Sequence, residues 1–468
     1  MIKISVIGAG SASFSLGLIK DACLTEGLSG SKISLMDINR ERLDIIHRLA
    51  LRYARELSVD LEFEKTTNLH KSLIDADFVI NTAYVKGHKY AKDIREVAAK
   101  HGYYYYRDPY NIPEPGPPAL SNFPQFDLML NVAREMEKVC PEAYLLQASN
   151  PVFEGCTLIS RETNIKVCGI CHGHNGYVGI VVTLGLDLDE VTYEAHGLNH
   201  CIWLTRFIYK GKNAYPLIDE WIETQAEEYW RTYSPYDAFD IQMSRAAVNQ
   251  YRLYGLFPIG DTVRWGGWWY HTNIETKKRW YGEPWGGPDT EESRPFQVAM
   301  LSKKIEEIKS AVKDKDKKIT ESFFPEKTLE QHMPIIDAIV NDHEGQFQVN
   351  VPNRGSIEGL PDDVVVDIPA IVNKKGIKPI HVEKLPKKLM LEQILPRWLA
   401  MENILETYKS GDRSMLLWNV LQHHQTKSYE GAEALLEDLL ALSNSAEAAA
   451  HYKWPKVWTI KPKGKTNP

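Results

Sequence analysis

The chain of 468 residues is short of cysteine, of long apolar runs and of basic charge. Each shortage excludes something. Its six cysteines stand scattered at 23, 140, 156, 168, 171 and 201, which is not the framework of a small disulfide-stapled fold. No stretch approaches the roughly 20 apolar residues needed to span a bilayer, so no membrane crossing is expected. Asp and Glu number 62 against 55 Lys and Arg, and the net charge of −7 argues against a nucleic-acid partner, which wants a basic face. The opening MIKISVIG carries one lysine and a very short apolar run before its glycine; it reads as a first strand, not a signal peptide. A cytoplasmic protein with reduced cysteines is the expectation. What is present is ordinary: 43% hydrophobic and 25% charged residues supply a large core, and the length allows two or three domains or one two-lobed enzyme.

Residues 2–7 form an apolar strand, 8–14 the turn GAGSASF, and a helix-like run follows before a second strand that ends at Asp37. Strand, glycine turn, helix, strand, acid is the order of a dinucleotide site. The glycines permit a tight turn and close approach to a pyrophosphate, the helix N-terminus favours anions, and the acid suits a ribose 2′-hydroxyl, favouring NAD over NADP. Gly8 and Gly10 are in place, but the third glycine position holds Ser13. The bland alternative is a βαβ turn that needs glycine only for its backbone angles. Dinucleotide contacts are expected at Gly8, Gly10, Ser11, Phe14, Asp37, Thr82 and Asn150. Strands at 61–66, 77–84, 143–151 and 165–171 alternate with helices at 91–102 and 125–140. That alternation predicts an α/β fold, a Rossmann-like doubly wound parallel sheet over residues 1–185, with ligands outside the carboxyl ends of its strands.

Residues 186–468 break the alternation and are expected to form an α+β substrate and catalytic lobe, as in lactate and malate dehydrogenases. Residues 190–211 read as two strands with Asn199-His200-Cys201 at their turn, 216–233 as one amphipathic helix, 345–372 as strands around a turn, and 386–446 as helical. Five of the twelve tryptophans fall between 265 and 285, suited to stacking on a sugar or to a core.

One stretch joins the lobes. VCGICHGHNGY, residues 167–177, contains C-x-x-C-H, the attachment pattern of a c-type haem and also a thiol-redox spacing. Haem attachment normally belongs outside the cytoplasm. Cys171 and His200 offer a thiolate and an imidazole, a pair suited to a divalent transition metal, with open positions for substrate oxygens. His172 beside them is a candidate proton donor. A core cysteine and a satisfied structural histidine are the plain alternatives.

With VIGAGSASF, LMDINRERL, QASNPVFEG, CHGHNG, GLNHCIWL and PIGDTVR in hand, the chain resembles family 4 glycoside hydrolases, NAD- and metal-dependent enzymes that depart from the two-carboxylate scheme of most glycosidases. The Cys-His-Gly-His run at 171–174 looks like the branch holding α-glucosidases and α-glucuronidases. The resemblance implies NAD, a metal (Mn²⁺, or Co²⁺, Ni²⁺ or Fe²⁺) and a redox-neutral hydrolysis. A hydride leaves sugar carbon 3, the metal on Cys171 and His200 polarises the new ketone, a base takes the carbon 2 proton, the aglycone departs, water adds and the hydride returns. It casts His172 as the acid and Asn150 as a substrate anchor. Asp261 is the expected base with Asp108 as alternative, Arg264 a sugar contact, and His174 a contact nearby; Cys168 is strand packing. It further implies a small glycoside substrate and a homo-oligomer, dimer or tetramer. Arg264, Arg107, Lys86 and His174 could meet a carbon 6 carboxylate. The expected substrate is therefore an α-glucuronide, before an α-glucoside and then an α-galacturonide. A plain NAD-dependent dehydrogenase and a non-catalytic NAD-sensing thiol switch are the readings from other classes.

Overall fold

The computed structural model describes residues 2–85, 87–103 and 117–455, without the side chains of His88 and Trp265. The expectations on Lys86, Arg107 and Asp108 lie outside the described residues.

Thirteen strands share one sheet. In chain order they are β1 (Lys3–Ile7), β2 (Ser31–Met36), β3 (Leu61–Thr66), β4 (Phe78–Asn81), β5 (Tyr144–Gln147), β6 (Lys166–Gly169), β7 (Val191–Leu198), β8 (Cys201–Tyr209), β9 (Lys212–Asn213), β10 (Phe257–Pro258), β11 (Gly345–Pro352), β12 (Val365–Asn373) and β13 (Gly376–Pro379). The first six are parallel in the order β3-β2-β1-β4-β5-β6, the arrangement of a dinucleotide-binding fold with its reversal point between β1 and β4. The inner strands β1, β4 and β5 are apolar on both faces, as a sheet covered by helices on both sides requires: Ile4, Val79, Ile80, Leu145 and Leu146 are fully buried. The α/β class and the doubly wound parallel sheet are as the alternation predicts.

The sheet does not stop at β6. Antiparallel β11 joins it, then β12, β7, β8 and β10, so the strands of both halves of the chain are continuous. The apolar interior also divides unevenly. One large core runs from Ile4 to Ile170 and takes in residues between Ile308 and Tyr452; a smaller one lies between Ile180 and Tyr281.

The expected single helix over 216–233 is two, Tyr215–Thr224 and Ala226–Thr232, broken at Gln225. The break lets the Trp221 ring meet those of Tyr229 and Trp230 at 5.3 and 6.2 Å. A straight helix would hold Trp221 and Tyr229 about 12 Å apart along its axis.

The late helix Leu395–Ser410 is bound to the early helix Val152–Glu162 by a buried ion pair, Arg397 to Glu154 at 2.6 Å, with the guanidinium over Phe153 at 4.8 Å. Both side chains are almost fully buried, so removing one leaves the other charge without compensation. Arg397→Met is expected to cost about 3–5 kcal/mol, read as a lowered urea midpoint, whereas replacing both members by apolar residues should restore much of it. A single variant as stable as the parent would show that the pair holds nothing together.

Candidate active site

The site is built on turns at the carboxyl ends of β1, β5, β6 and β7. At β1, Gly8 has φ +88° and a Cβ there would lie 2.6 Å from the Ala83 backbone, so the turn needs glycine. The Gly8 and Ala9 amides donate to the Met36 carbonyl at 2.9 and 3.0 Å. The Gly10 amide donates to Asp37 Oδ2 at 2.8 Å, and a Cβ on Gly10 would lie 2.7 Å from that oxygen. Glycine turn and acid are thus in contact. Helix Ala12–Cys23 starts immediately after, with Ser11 at its N-cap and no acidic residue in its first turn, which leaves its free amides open to an anion. Phe14 meets the His332 ring edge-on at 5.4 Å. Thr82 is turned inward, its hydroxyl donating to the Ile7 carbonyl at 3.0 Å. The residues present fit a dinucleotide: a glycine cradle that a Cβ would fill, a helix start, and an acid at the second strand end.

At β5, Asn81, Gln147, Ser149 and Gln125 form a buried amide and hydroxyl chain, with Asn81 Nδ2 to Gln147 Oε1 at 2.9 Å and Gln147 Nε2 to Ser149 Oγ at 2.7 Å. It fixes the backbone leading to Asn150, whose buried Oδ1 makes no hydrogen bond and is open to a donor such as a sugar hydroxyl.

At β6 the chain enters a tight turn, His172–Asn175. This turn is interlocked with the one that carries Asp261. Gly260 has φ +59° and a Cβ on it would lie 2.2 Å from the Gly173 carbonyl oxygen; a Cβ on Gly176 would lie 2.3 Å from the Gly260 amide nitrogen. The absence of side chains at 176 and 260 therefore lets the turn after Cys171 pack against the one that carries Asp261. From the other side, the β7–β8 turn brings His200, itself at φ +60°, with Nε2 3.3 Å from Asp261 Oδ2. Cys171 lies within hydrogen-bonding reach of the Asn199 side chain. Burial first, then the charges of Asp367 and Asp261, push its thiol up to about 12. Among the described residues no group of three or more His, Cys, Asp or Glu is placed to hold a metal ion. A two-residue donor set of one sulfur and one imidazole, near Asp367 with its neutral amide partners, fits a cation that keeps positions open for substrate.

Arg264 is 3% exposed and its guanidinium is taken on both sides: one nitrogen donates to Asp261 Oδ1 at 2.7 Å, and Nε donates to Asp289 Oδ2 at 3.0 Å. Arg294 also donates to Asp289, at 2.6 Å. The structure thus gives Arg264 a different setting from the sugar contact expected of it; it orients Asp261. His174 is turned away too, with Nδ1 3.0 Å from the Cys171 carbonyl oxygen, and burial pushes it down to about 4, so it is a neutral prop for the turn. Cys168 is fully buried in β6. Trp268 and Trp269 are 44% and 37% exposed, whereas Trp280 packs edge-on to Tyr270 at 4.9 Å, so the tryptophan group divides between surface and core.

Three acids of the site escaped the sequence reading: Asp289, Asp367 and Glu330. Glu330 Oε1 lies 3.5 Å from His172 Nδ1, and its other oxygen lies 3.5 Å from His332. Each sits in an unremarkable stretch, and only long-range folding gives it a partner.

Fold and site together define a Rossmann-type α/β enzyme whose candidate metal donors and acid–base groups stand at the strand ends facing the dinucleotide turn. Residues 3–186 match the Family 4 glycosyl hydrolase and residues 195–426 the Family 4 glycosyl hydrolase C-terminal domain, so the chain belongs to that family. An alpha-galactosidase of Bacillus subtilis is 24% identical over 97% of this chain and 99% of its own. An alpha-galacturonidase of Thermoanaerobacter italicus is 23% identical over 94% and 95%, and an alpha-glucosidase of Erwinia rhapontici 25% over 90% and 93%. The same fold is seen in the Thermotoga maritima 6-phospho-beta-glucosidase solved with manganese, NAD⁺ and glucose-6-phosphate, at TM-score 0.71, 19% identity, 96% of this chain and 99% of that one. A Plasmodium falciparum malate dehydrogenase aligns at TM-score 0.51 and 14% identity over 87% of this chain and 100% of that one, in keeping with the dehydrogenase-like architecture expected. No helix among the described residues is long and apolar enough to cross a membrane.

The Glu330 contact raises the His172 pKa above its ordinary 6.5. Burial would push Glu330 up, but the hydrogen bond from His172 and the neighbouring imidazoles hold it below 4.5. Both are charged between those values, so the pair's stabilisation is complete between pH 4.5 and 6.5; it fades as pH rises through the raised histidine value or falls through the lowered carboxylate value. In ¹³C-imidazole-labelled protein the His172 resonance should titrate above 6.5, and Glu330→Gln should bring it back towards 6.5. A parent midpoint at or below 6.5 would refute the pairing.

Proposed function

We propose that the chain is an NAD- and divalent-metal-dependent α-glycosidase that releases neutral, unphosphorylated hexoses, an α-glucosidase first and an α-galactosidase second. The observation that supports this reading is the packing of the His172–Asn175 turn against Gly260, next to Asp261, with His200 Nε2 3.3 Å from Asp261 Oδ2.

When bound, the dinucleotide would supply a reversible hydride acceptor at sugar carbon 3 and the cation a Lewis acid for the ketone formed there. The protein's own residues do the rest. The Gly8–Phe14 turn and Asp37 hold the dinucleotide, and Cys171 and His200 hold the cation, Mn²⁺ or another divalent metal. Asp261, oriented by Arg264, takes the proton from carbon 2, which the neighbouring ketone makes acidic. His172, kept protonated by Glu330, gives a proton to the departing glycosidic oxygen. Asn150 Oδ1 accepts from a sugar hydroxyl.

The preference for a neutral sugar follows from charge. The α-glucuronide expectation named Arg264, Arg107, Lys86 and His174 for the carboxylate. Of these the Arg264 guanidinium already serves two aspartates, and His174 is pushed down to about 4 by burial. Among the described residues the charged groups that remain, Asp261, Glu330 and Asp367, are acids that disfavour a carbon 6 carboxylate or phosphate; Lys86 and Arg107 lie outside those residues. α-Glucuronides and α-galacturonides rank below neutral hexosides on this ground. The names of the relatives span alpha- and beta-glycosidases, so the anomeric assignment rests on the likeness of the Cys171–His174 run to the branch holding α-glucosidases.

A panel of 4-nitrophenyl α-glucoside, α-galactoside, α-glucuronide and α-galacturonide with NAD⁺, Mn²⁺ and a thiol reductant tests the reading. The neutral substrates should turn over fastest, without net NADH, and the sugar released in heavy water should carry deuterium at carbon 2. NADH accumulating one per turnover would mean a dehydrogenase instead. Cys171→Ser should abolish turnover while Cys168→Ser leaves it within a few-fold, since Cys168 only packs β6; equal losses would favour a thiol switch. Because metal binding must displace the thiol proton of Cys171, Mn²⁺ affinity should rise with pH and calorimetry in buffers of different ionisation enthalpy should show proton release.

A further inference from the structure

The seam of the sheet places an acid midway between the two loops that carry Cys171 and His200. Register aligns Gly169 of β6 with Asn350 of β11, Asn350 with Asp367 of β12, and Asp367 with Gly197 of β7, one row across four strands. At about 4.8 Å per strand, β6 and β7 lie about 14 Å apart, so two turns that are to share one cation must lean inward over the hairpin between them. Gly169 leaves the room for this: a Cβ there would lie 2.8 Å from Asn350 Cβ.

Asp367 is 2% exposed and tightly held. One oxygen accepts from Gln348 Nε2 at 2.7 Å and the other from Asn199 Nδ2 at 3.2 Å. Gln348 also donates to the Ala195 carbonyl at 3.1 Å, and its own backbone amide and carbonyl are both bonded by the Gln331 side chain at 2.9 Å. The carboxylate is therefore aimed at Asn199, which lies beside His200 in the chain and within reach of the Cys171 sulfur. Asn199 Oδ1 is buried and makes no hydrogen bond. The partners of Asp367 are neutral amides, from Gln348, Asn199 and Asn350. Amides satisfy its lone pairs but do not neutralise a buried charge, which is costly without a counter-charge nearby.

We propose that Asp367 is a positioning residue for the metal: through Asn199 it sets the Cys171 and His200 turns at the spacing one divalent cation needs, and that cation balances its buried charge. The inference rests on the metal-dependent reading above. It assigns a role to a residue on β12, outside the two turns that carry the donors.

The test uses the full chain freed of metal. Mn²⁺ binding is followed by the electron paramagnetic resonance of the free ion, and Co²⁺ binding by the sulfur-to-cobalt charge-transfer absorption in the near ultraviolet. Asp367→Asn should weaken Mn²⁺ binding about 10–100-fold and shift or bleach the cobalt band, with no fall in the metal-free Tm. A side chain that served only packing would move the Tm and leave the band alone. Asn199→Ser, which cuts the link but keeps Asp367 and its Gln348 bond, should reproduce the loss, and it decides the matter alone if the first variant fails to fold. Mn²⁺ affinity within about threefold of the parent, with an unaltered band, overturns the role of Asp367 while the metal-dependent reading stands. A parent chain that binds neither ion overturns both.

Discussion

The site depends on how an antiparallel hairpin is let into a parallel sheet. β11 and β12 pair with each other along their whole length, from Gly345 opposite Val372 to Pro352 opposite Val365. Each meets its outer neighbour through a single register pair, Asn350 to Gly169 on one side and Asp367 to Gly197 on the other. Strands joined at one rung diverge beyond it, because no further backbone bonds hold them level. β6 and β7, which run in opposite directions on either side of the hairpin, are each pinned to it at one rung, and the turns that follow them carry Cys171 and His200. The cleft is a product of strand pairing, with side chains added to it.

Charge explains what that cleft can hold. Asp261, Asp289, Asp367 and Glu330 gather around it, and Cys171 would add a fifth negative charge on losing its proton. Among the described residues, the cations that answer them are committed: Arg264 and Arg294 to the two outer aspartates, His172 to Glu330. Asp367 and Cys171 are left facing one another. Burial, against the hydrogen bonds from its amide partners, holds Asp367 at about 6, and burial followed by the charges of Asp367 and Asp261 holds Cys171 at about 12, each raised above its ordinary value. Both shifts describe a pocket short of positive charge.

The sequence carried the parts of this whose physics is local. A glycine turn between strand and helix, an acid at a strand end and the two-strand reading of 190–211 depend on neighbours within a few residues, and those elements stand where the pattern places them. What it could not carry depends on register between distant segments. Nothing near Glu330 or Asp367 marks them as different from any other acid, and Arg264 looks free until Asp289 is found to oppose it. The continuity of the sheet is of the same kind: β11 reads as an ordinary strand, and only the Asn350–Gly169 pair says which strand it extends. The helix at 216–233 has the right periodicity throughout, but its break comes from the meeting of Trp221 with two later rings, a tertiary effect that overrides helical spacing.

The same reasoning explains why the dinucleotide turn and the acid–base groups belong to one cooperative unit although they lie far apart in the chain. Residues 311–348 are strapped across the helices of the first half. Arg52 donates to the carbonyls of Ala311, Val312, Asp314 and Lys317, Glu56 accepts from the amides of Ile319 and Thr320, and Tyr53 donates to the Phe323 carbonyl. Asp21, on the helix that begins at the glycine turn, accepts from the Thr328 amide at 2.7 Å. Beyond that anchor the strap delivers Glu330 to His172, His332 to Phe14, and Gln331 to Gln348, which in turn holds Asp367. One segment thus touches the helix that opens the dinucleotide turn, the proposed acid and the acid between the metal donors. In the proposed scheme these bonds tie the dinucleotide turn, the proposed acid and the proposed metal donors to one segment, so that a shift of any one would be felt by the others.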